Sequence, residues 1–105
     1  MTTNPSLGIA FLGTGDVSDL HAEGVRRCRD AHLVGVWNRT AEKGKTKAEL
    51  FGCRTWDTPE QLLGDPAVDA VFVLTNLETH IDFVTMALNA GKHVLVEKPV
   101  GVTID

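Results

Sequence analysis

The strongest constraint on this chain is an alternation of two sequence patterns along its 105 residues. Short apolar runs alternate with stretches in which apolar residues recur at every third or fourth position. The runs are long enough for buried strands and too short for helices, whereas the recurring spacing is typical of amphipathic helices. The predicted strands are residues 7–12, 33–37, 53–55, 69–74 and 93–96.

The predicted helices fill the gaps between these strands. The first begins at residue 17, the second covers residues 41–50 with Gly52 as its C-cap, and the fourth covers residues 79–90. The short third helix follows a capping box at residues 58–61, with proline at the first helical position. The expected inward stripes are Val17, Leu20, His21, Gly24, Val25 and Cys28 on the first helix, and Ile81, Val84 and Leu88 on the fourth.

Strands that alternate with helices on short connections favour parallel βα units, which bury a sheet between helices on both of its faces. The sequence therefore predicts an α/β fold with three α/β/α layers. Its doubly wound parallel sheet is expected in the order 3-2-1-4-5. In that order the predicted fifth strand, residues 93–96, is an edge strand with an apolar sequence, so we expect the chain to form a homo-oligomer.

Charge and composition exclude several other classes of function. The formal charge is −4 and the Lys and Arg residues are scattered, which argues against a nucleic-acid partner. No apolar run has the roughly 20 residues needed to cross a bilayer, and the first residues are polar, so we expect a cytoplasmic protein without a membrane partner. Cys28 and Cys53 lack metal-site or redox spacing and are expected to be buried, reduced thiols.

A glycine-rich segment lies between the first strand and the first helix. It reads Gly13-Thr14-Gly15-Asp16-Val17-Ser18, which approximates the GxGxxG pattern in the structural context that gives this pattern meaning. One glycine permits the tight turn, and the other lets a pyrophosphate approach the N-H groups at the helix N-terminus. Serine replaces the third glycine, and an ordinary βα turn remains the alternative interpretation.

The residues after the second strand bear on the choice of dinucleotide. An acidic residue at this point would bind the ribose 2'-hydroxyl of NAD, but the sequence reads Asn38, Arg39 and Thr40. A planar guanidinium could hold a 2'-phosphate in bidentate fashion or stack on adenine, so NADP is favoured, with NAD as the alternative. A simpler interpretation of Arg39 is a solvated loop arginine. Asn38 and Thr40 could simply cap the next helix.

The glycine segment and two further segments together resemble one known protein family. They are the glycine segment followed by His21, the run at residues 69–76 with His80, and residues 90–99, which read AGKHVLVEKP. Together they resemble the glucose-fructose oxidoreductase / inositol dehydrogenase / MocA family across essentially the whole chain. The resemblance implies a Rossmann domain followed by a larger α/β domain, and hydride transfer between a nicotinamide and a sugar, cyclitol or related substrate.

The resemblance also implies roles for single residues. Lys98 resembles the family's catalytic lysine, which faces the nicotinamide and bonds the reacting oxygen, and an ammonium there could stabilise an alkoxide. The Lys98-Pro99 bond is expected to be cis. The remaining implied cofactor contacts are Glu97, Thr75, Asn76 and His80. A loop-ordering role is favoured for His80 over proton transfer, and a structural role for His21.

Residues 1–105 are thus expected to form one NAD(P)-binding domain. Because residues 103–105 look like the start of another helix, we interpret the chain as a fragment of an oxidoreductase. The family's other acid/base residues, an aspartate and a histidine, belong to the second domain, so the chain alone is expected to be inactive. A stand-alone dinucleotide-binding or sensing module without catalysis is the alternative. A methyltransferase is disfavoured because it leaves residues 97–99 unexplained.

Overall fold

The computed structural model describes residues 6–14, 18–74 and 77–96, of which residues 77–81 are described by their backbone alone. Strands and helices alternate along this part of the chain. The elements are β1 Leu7–Leu12, α1 Ser18–Arg27, β2 Ala31–Trp37, α2 Ala41–Phe51, β3 Arg54–Thr55, α3 Pro59–Leu63, β4 Ala70–Val73, α4 Leu77–Asn89 and β5 His93–Val96.

The five strands form one parallel sheet in the order β3-β2-β1-β4-β5, so the predicted order is confirmed. Adjacent residues of each strand point to opposite faces, and they join two separate apolar clusters. One cluster packs Phe11 and Val36 against Val25 of α1 and Ala48 of α2. The other packs strand residues against Leu62, Leu63 and Ala87 from α3 and α4. This is the expected three-layer α/β/α arrangement.

The helix faces differ from the predicted stripes. Leu20 on α1 is 73% exposed and Leu88 on α4 is 59% exposed, whereas Ser18 on α1 and Ala87 on α4 are fully buried. Small side chains let a helix lie close to the sheet, so the contact line follows them and turns the larger leucines toward solvent. The predicted inward positions of Leu20 and Leu88 are therefore wrong.

The helix ends are closed largely as the sequence predicts. Gly52 has φ 69° and ends α2 in the left-handed conformation that glycine permits. The side chain of Thr58 accepts a hydrogen bond from the Gln61 N-H at the start of α3. The Gln61 side chain returns to the N-H of Asp57, one residue before the N-cap, so the reciprocal half of the predicted capping box is shifted by one residue.

The cysteines lie just outside regular elements rather than within them. Cys53 precedes β3, is half-buried against the α1/α2 cluster, and burial raises the pKa of its thiol to about 11. Cys28 follows α1 and is exposed, so the prediction that it is buried is wrong. Both thiols are free. None of the helices in the described ranges is both long and apolar enough to cross a bilayer.

Candidate dinucleotide site at the carboxyl edge of the sheet

Gly13 forms the turn that leaves β1. Its φ is 105°, a backbone angle that residues other than glycine rarely adopt. Its N-H donates to the main-chain oxygen of Trp37 at 2.7 Å. The turn therefore lies against the end of β2. This geometry agrees with the role predicted for Gly13, while Gly15, Asp16 and Val17 lie outside the described residues.

Two buried hydroxyl groups lie on either side of this turn. Thr14 is 7% exposed and Ser18, the first residue of α1, is 0% exposed. The hydroxyl oxygen of each side chain has no hydrogen-bond partner among the described residues. Serine thus fits the closely packed position where the GxGxxG pattern has its third glycine. Buried polar atoms without partners are uncommon, and Ser18 lies at a helix N-terminus, where anions bind readily.

The residues after β2 face this glycine turn. The amide oxygen of Asn38 accepts from the Thr14 N-H at 3.1 Å, and its amide nitrogen donates to the main-chain oxygen of Thr40 at 3.1 Å. Thr40 is the N-cap of α2, but its side chain makes no capping bond. The first-turn N-H groups of α2 are therefore left without a side-chain cap, next to Arg39.

A small cavity of about 100 Å³ opens between these loops at the carboxyl ends of β2 and β3. Arg39 and Lys45 both line it, both are exposed, and neither has an ion-pair partner within the described part of the chain. One carboxylate, that of Asp57, also lines it. The full lining is Trp37, Asn38, Arg39, Ala41, Gly44, Lys45, Thr55, Trp56 and Asp57.

Sequence reasoning found Asn38 and Arg39 and missed Lys45, Trp56 and Asp57. Trp56 and Asp57 directly follow β3, whose pairing with β2 brings its carboxyl end to the same edge. Because they follow a predicted strand, the sequence could have indicated that Trp56 and Asp57 lie at the carboxyl edge of the sheet. Lys45 is on α2, one helical turn beyond Ala41, and only the packing of α2 beside the loop brings it to the cavity.

The other predicted contacts follow β4 and β5. These two strands pair in parallel with Val73 opposite Val96, so both end at the same edge as the glycine turn. Thr75, Asn76, Glu97 and Lys98 come next in the sequence and lie outside the described residues, as does the Lys98-Pro99 bond. His80 is part of α4, but its side chain is likewise not described.

The ring of His21 packs against aromatic side chains of the sheet. Its ring packs edge-on against Phe72 at a centroid distance of 5.4 Å and against Phe11 at 6.4 Å. These contacts join α1 to β1 and β4, which agrees with the structural role predicted for this histidine. Within the described ranges, no group of His, Cys, Asp and Glu side chains is arranged to hold a metal ion.

A larger cavity of about 590 Å³ lies between α1 and α2, mainly beside the amino-terminal half of β2. Its charged lining residues, Asp19, Glu23 and Arg26, all take part in ion pairs. Glu23 binds both Arg26 and Arg27, which holds the pKa of its carboxyl below the usual value, and Asp19 pairs with Lys47 at 2.5 Å. Of these two cavities, the smaller one adjoins predicted dinucleotide residues, Asn38 and Arg39.

Residues 7–105 match the model of the oxidoreductase family with an NAD-binding Rossmann fold, GFO_IDH_MocA. The chain belongs to this family. The resemblance found in the sequence is therefore confirmed, and the described sheet is the Rossmann fold of a Gfo/Idh/MocA nucleotide-binding domain.

Named relatives and solved structures agree with this assignment. The chain is 35% identical over 96 residues to a 1,5-anhydro-D-fructose reductase of Ensifer adhaerens, covering 90% of the chain and 29% of the reductase. It is similar to a biliverdin reductase structure with biliverdin and NADP+ from Synechocystis, with TM-score 0.82, 32% identity, and coverage of 92% and 31%. A structure of GenD2 from gentamicin A biosynthesis with NAD has TM-score 0.85, 34% identity, and coverage of 91% and 28%.

The chain thus spans less than a third of the length of each of these proteins. What aligns is the part that carries the NAD-binding Rossmann fold. Both dinucleotides occur among the similar structures, NADP+ in one and NAD in the other.

Proposed function

We propose that this Gfo/Idh/MocA domain binds NADP(H) for an oxidoreductase that transfers hydride between the nicotinamide and a sugar, cyclitol or related substrate. The glycine turn of the domain fits a pyrophosphate. Gly13 leaves β1 with positive φ, and the hydroxyl groups of Thr14 and of Ser18, the first residue of α1, are buried without partners in the described ranges. The similar proteins named above include a 1,5-anhydro-D-fructose reductase and a biliverdin reductase, which supports a catalytic parent over a sensing module.

The observation that carries the choice of NADP is the cavity after β2. Two cations without ion-pair partners in the described part of the chain, Arg39 and Lys45, line it against one carboxylate, Asp57. The N-terminus of α2 has no side-chain cap, so its positive end also favours an anion. A ribose 2'-phosphate is the part of NADP that this charge distribution would attract, and NAD lacks it.

Lys98 is proposed as the catalytic residue on the basis of the family resemblance. It follows β5, whose carboxyl end lies at the same edge as the glycine turn. When bound, the nicotinamide supplies hydride chemistry. The Lys98 ammonium would donate a hydrogen bond to the reacting oxygen and stabilise negative charge on it. Glu97, Thr75, Asn76 and His80 are proposed to surround the nicotinamide end.

Residues outside the aligned domain are proposed to select the substrate, so we expect the 105-residue chain to bind cofactor without measurable turnover. A cytoplasmic location, a homo-oligomeric state and the absence of nucleic-acid and membrane partners are part of the same proposal.

The test is a titration of NADPH and NADH, followed by nicotinamide fluorescence. The chain is expected to bind NADPH more tightly, and Arg39→Ala is expected to remove about 1.5 to 3 kcal/mol of that binding while leaving NADH nearly unchanged. Arg29→Ala is a charge-matched control, because Arg29 is exposed in the turn before β2, at the opposite edge of the sheet. Equal affinities for both cofactors in the wild type would exclude the NADP preference.

A further inference from the structure

Two hydrogen bonds tie the glycine turn to the end of β2. One is the main-chain bond from the Gly13 N-H to the oxygen of Trp37 at 2.7 Å. The other depends on a side chain, because the neighbouring N-H of Thr14 donates to the amide oxygen of Asn38 at 3.1 Å. Thr14 is nearly fully buried, so without Asn38 this N-H would lose its acceptor in a place that water reaches poorly.

Asn38 is itself held from two sides. Its amide nitrogen donates to the Thr40 oxygen at 3.1 Å. Gly44 of α2 lies directly behind it, and a Cβ at this glycine would come within 3.4 Å of both the Cβ and the N of Asn38. The position therefore requires an acceptor toward Thr14 and a donor toward Thr40, and an asparagine side chain provides both.

We propose that Asn38 is a positioning residue that couples the turn for the pyrophosphate to the loop that carries Arg39. This inference rests on the proposed function, which it deepens. Asn38 acts on the dinucleotide through the Thr14 main chain, and so on the part that NADH and NADPH share. Arg39 acts on the 2'-phosphate, which only NADPH has. The two neighbouring residues thus have separable effects on the two cofactors.

The test compares three variants in the 105-residue chain, with dissociation constants measured for both cofactors. Asn38→Leu approximates the shape of the side chain and removes both hydrogen bonds. The affinities for NADH and NADPH are therefore expected to fall by a similar factor of about ten. Asn38→Asp keeps the acceptor for the Thr14 N-H, and an acidic residue here can also bind the ribose 2'-hydroxyl, so NADH affinity is expected to be at least that of the wild type. Its carboxylate would repel the 2'-phosphate and weaken NADPH binding. Arg39→Ala is expected to weaken the binding of NADPH and not that of NADH.

Hydrogen exchange of the Thr14 amide provides a second measurement that needs no ligand. Exchange is expected to be slow in the wild type and in Asn38→Asp, and at least about tenfold faster in Asn38→Leu. If Asn38→Leu does not fold, the wild type and Asn38→Asp still test the inference, since a loss of Thr14 protection or of NADH binding in the aspartate variant contradicts it.

The result that overturns the inference is an Asn38→Leu variant that binds NADH as tightly as the wild type. A wild-type chain that binds neither NADH nor NADPH would instead contradict the proposed function. The exchange rate of the Thr14 amide separates the two failures, because it reports the coupling of the loops without any cofactor.

Discussion

The ammonium of Lys92 donates to the main-chain oxygen of Val68 at 2.6 Å and to that of Asp65 at 3.2 Å. Lys92 belongs to the GKHV segment through which the sequence resembles its family, yet it lies at the start of β5, at the edge opposite the dinucleotide site. Its contacts close the loop between α3 and β4. One of the most specific motifs of the chain therefore includes a residue that stabilises the fold.

Replacement of Lys92 by methionine tests this role. The substitution keeps much of the apolar stem but leaves two main-chain oxygens without their charged donor, so the free energy of unfolding is expected to fall by about 2 kcal/mol. Urea denaturation measures the change. Lys43→Met is the control, because this lysine of α2 is exposed and the change there should stay within about 0.5 kcal/mol. Equal effects at the two lysines would contradict the structural role of Lys92.

Two glycines should respond to alanine in opposite ways. A Cβ at Gly35 of β2 would lie 2.5 Å from the main-chain oxygen of Arg54 and 2.7 Å from the Trp56 ring, so Gly35→Ala is expected to destabilise the fold by about 1 to 3 kcal/mol. Gly24 of α1 is exposed with no atom within 4 Å of such a Cβ. Because alanine favours helices, Gly24→Ala should add about 0.5 to 1 kcal/mol. Thermal unfolding of both variants provides the comparison, and a neutral Gly35→Ala would contradict the close approach.

Asp65 makes part of the stability dependent on pH. Its carboxylate accepts from the Ala67 N-H at 2.9 Å and from Arg54 at 2.8 Å, and these contacts hold the pKa of Asp65 below its ordinary value of 3.8. A group whose pKa is lower in the folded state stabilises the fold above its unfolded pKa, and this contribution is lost as the pH falls through the folded value.

Asp65→Asn is therefore expected to lower the free energy of unfolding by about 1 kcal/mol at pH 7, with the difference from wild type shrinking as the pH falls below about 4. Denaturation at pH 7, 5 and 3 measures it. Asp57→Asn is the control, because the structure shows no hydrogen bond or ion pair to the Asp57 carboxylate among the described residues. A difference at Asp65 that grows toward low pH would contradict the prediction.

The two thiols are expected to react at different rates. Burial raises the pKa of Cys53 from 9.0 to about 11, which lowers its thiolate fraction about a hundredfold, whereas Cys28 is exposed. Iodoacetamide at pH 8 should modify Cys28 at least about tenfold faster. The variants Cys28→Ser and Cys53→Ser isolate each thiol for mass spectrometry. Similar rates in the two variants would show that Cys53 is not protected.

The outer edge of β5 is expected to mediate self-association. No strand within the described ranges pairs with this edge, and the Leu95 side chain of β5 is 44% exposed. Open strand edges pair readily with other chains, so light scattering should show association that increases with concentration. Leu95→Lys should weaken it, while Leu20→Lys, on exposed α1, should not. A monomer at every concentration would contradict the prediction.

The topology could be predicted from the sequence because each strand and helix has a clear local pattern, and the glycine segment marks where β1 ends. The inward faces of the helices could not be predicted from the sequence, because they depend on how closely each helix approaches the sheet. At α1, for example, the small Ser18 is buried and Leu20 is exposed.

For the candidate site, too, the sequence predicts the residues that follow strands but not the contacts that depend on packing. Gly13 directly follows β1 and Arg39 is the second residue after β2, so their positions at the carboxyl edge follow from the order of elements. The bond from Thr14 to Asn38 joins residues 24 positions apart, and the place of Lys45 in the cavity depends on the packing of α2. Neither contact leaves a pattern in the local sequence.

The exposed thiol of Cys28 lies just beyond the last turn of α1, whose ten residues separate it from the glycine turn by about 15 Å. A surface or dye attached through this sulfur would therefore hold the domain by one end of the helix and leave the opposite end facing the solution. Chains immobilised in this way would all present the dinucleotide edge outward, in one orientation, without any change to the native sequence.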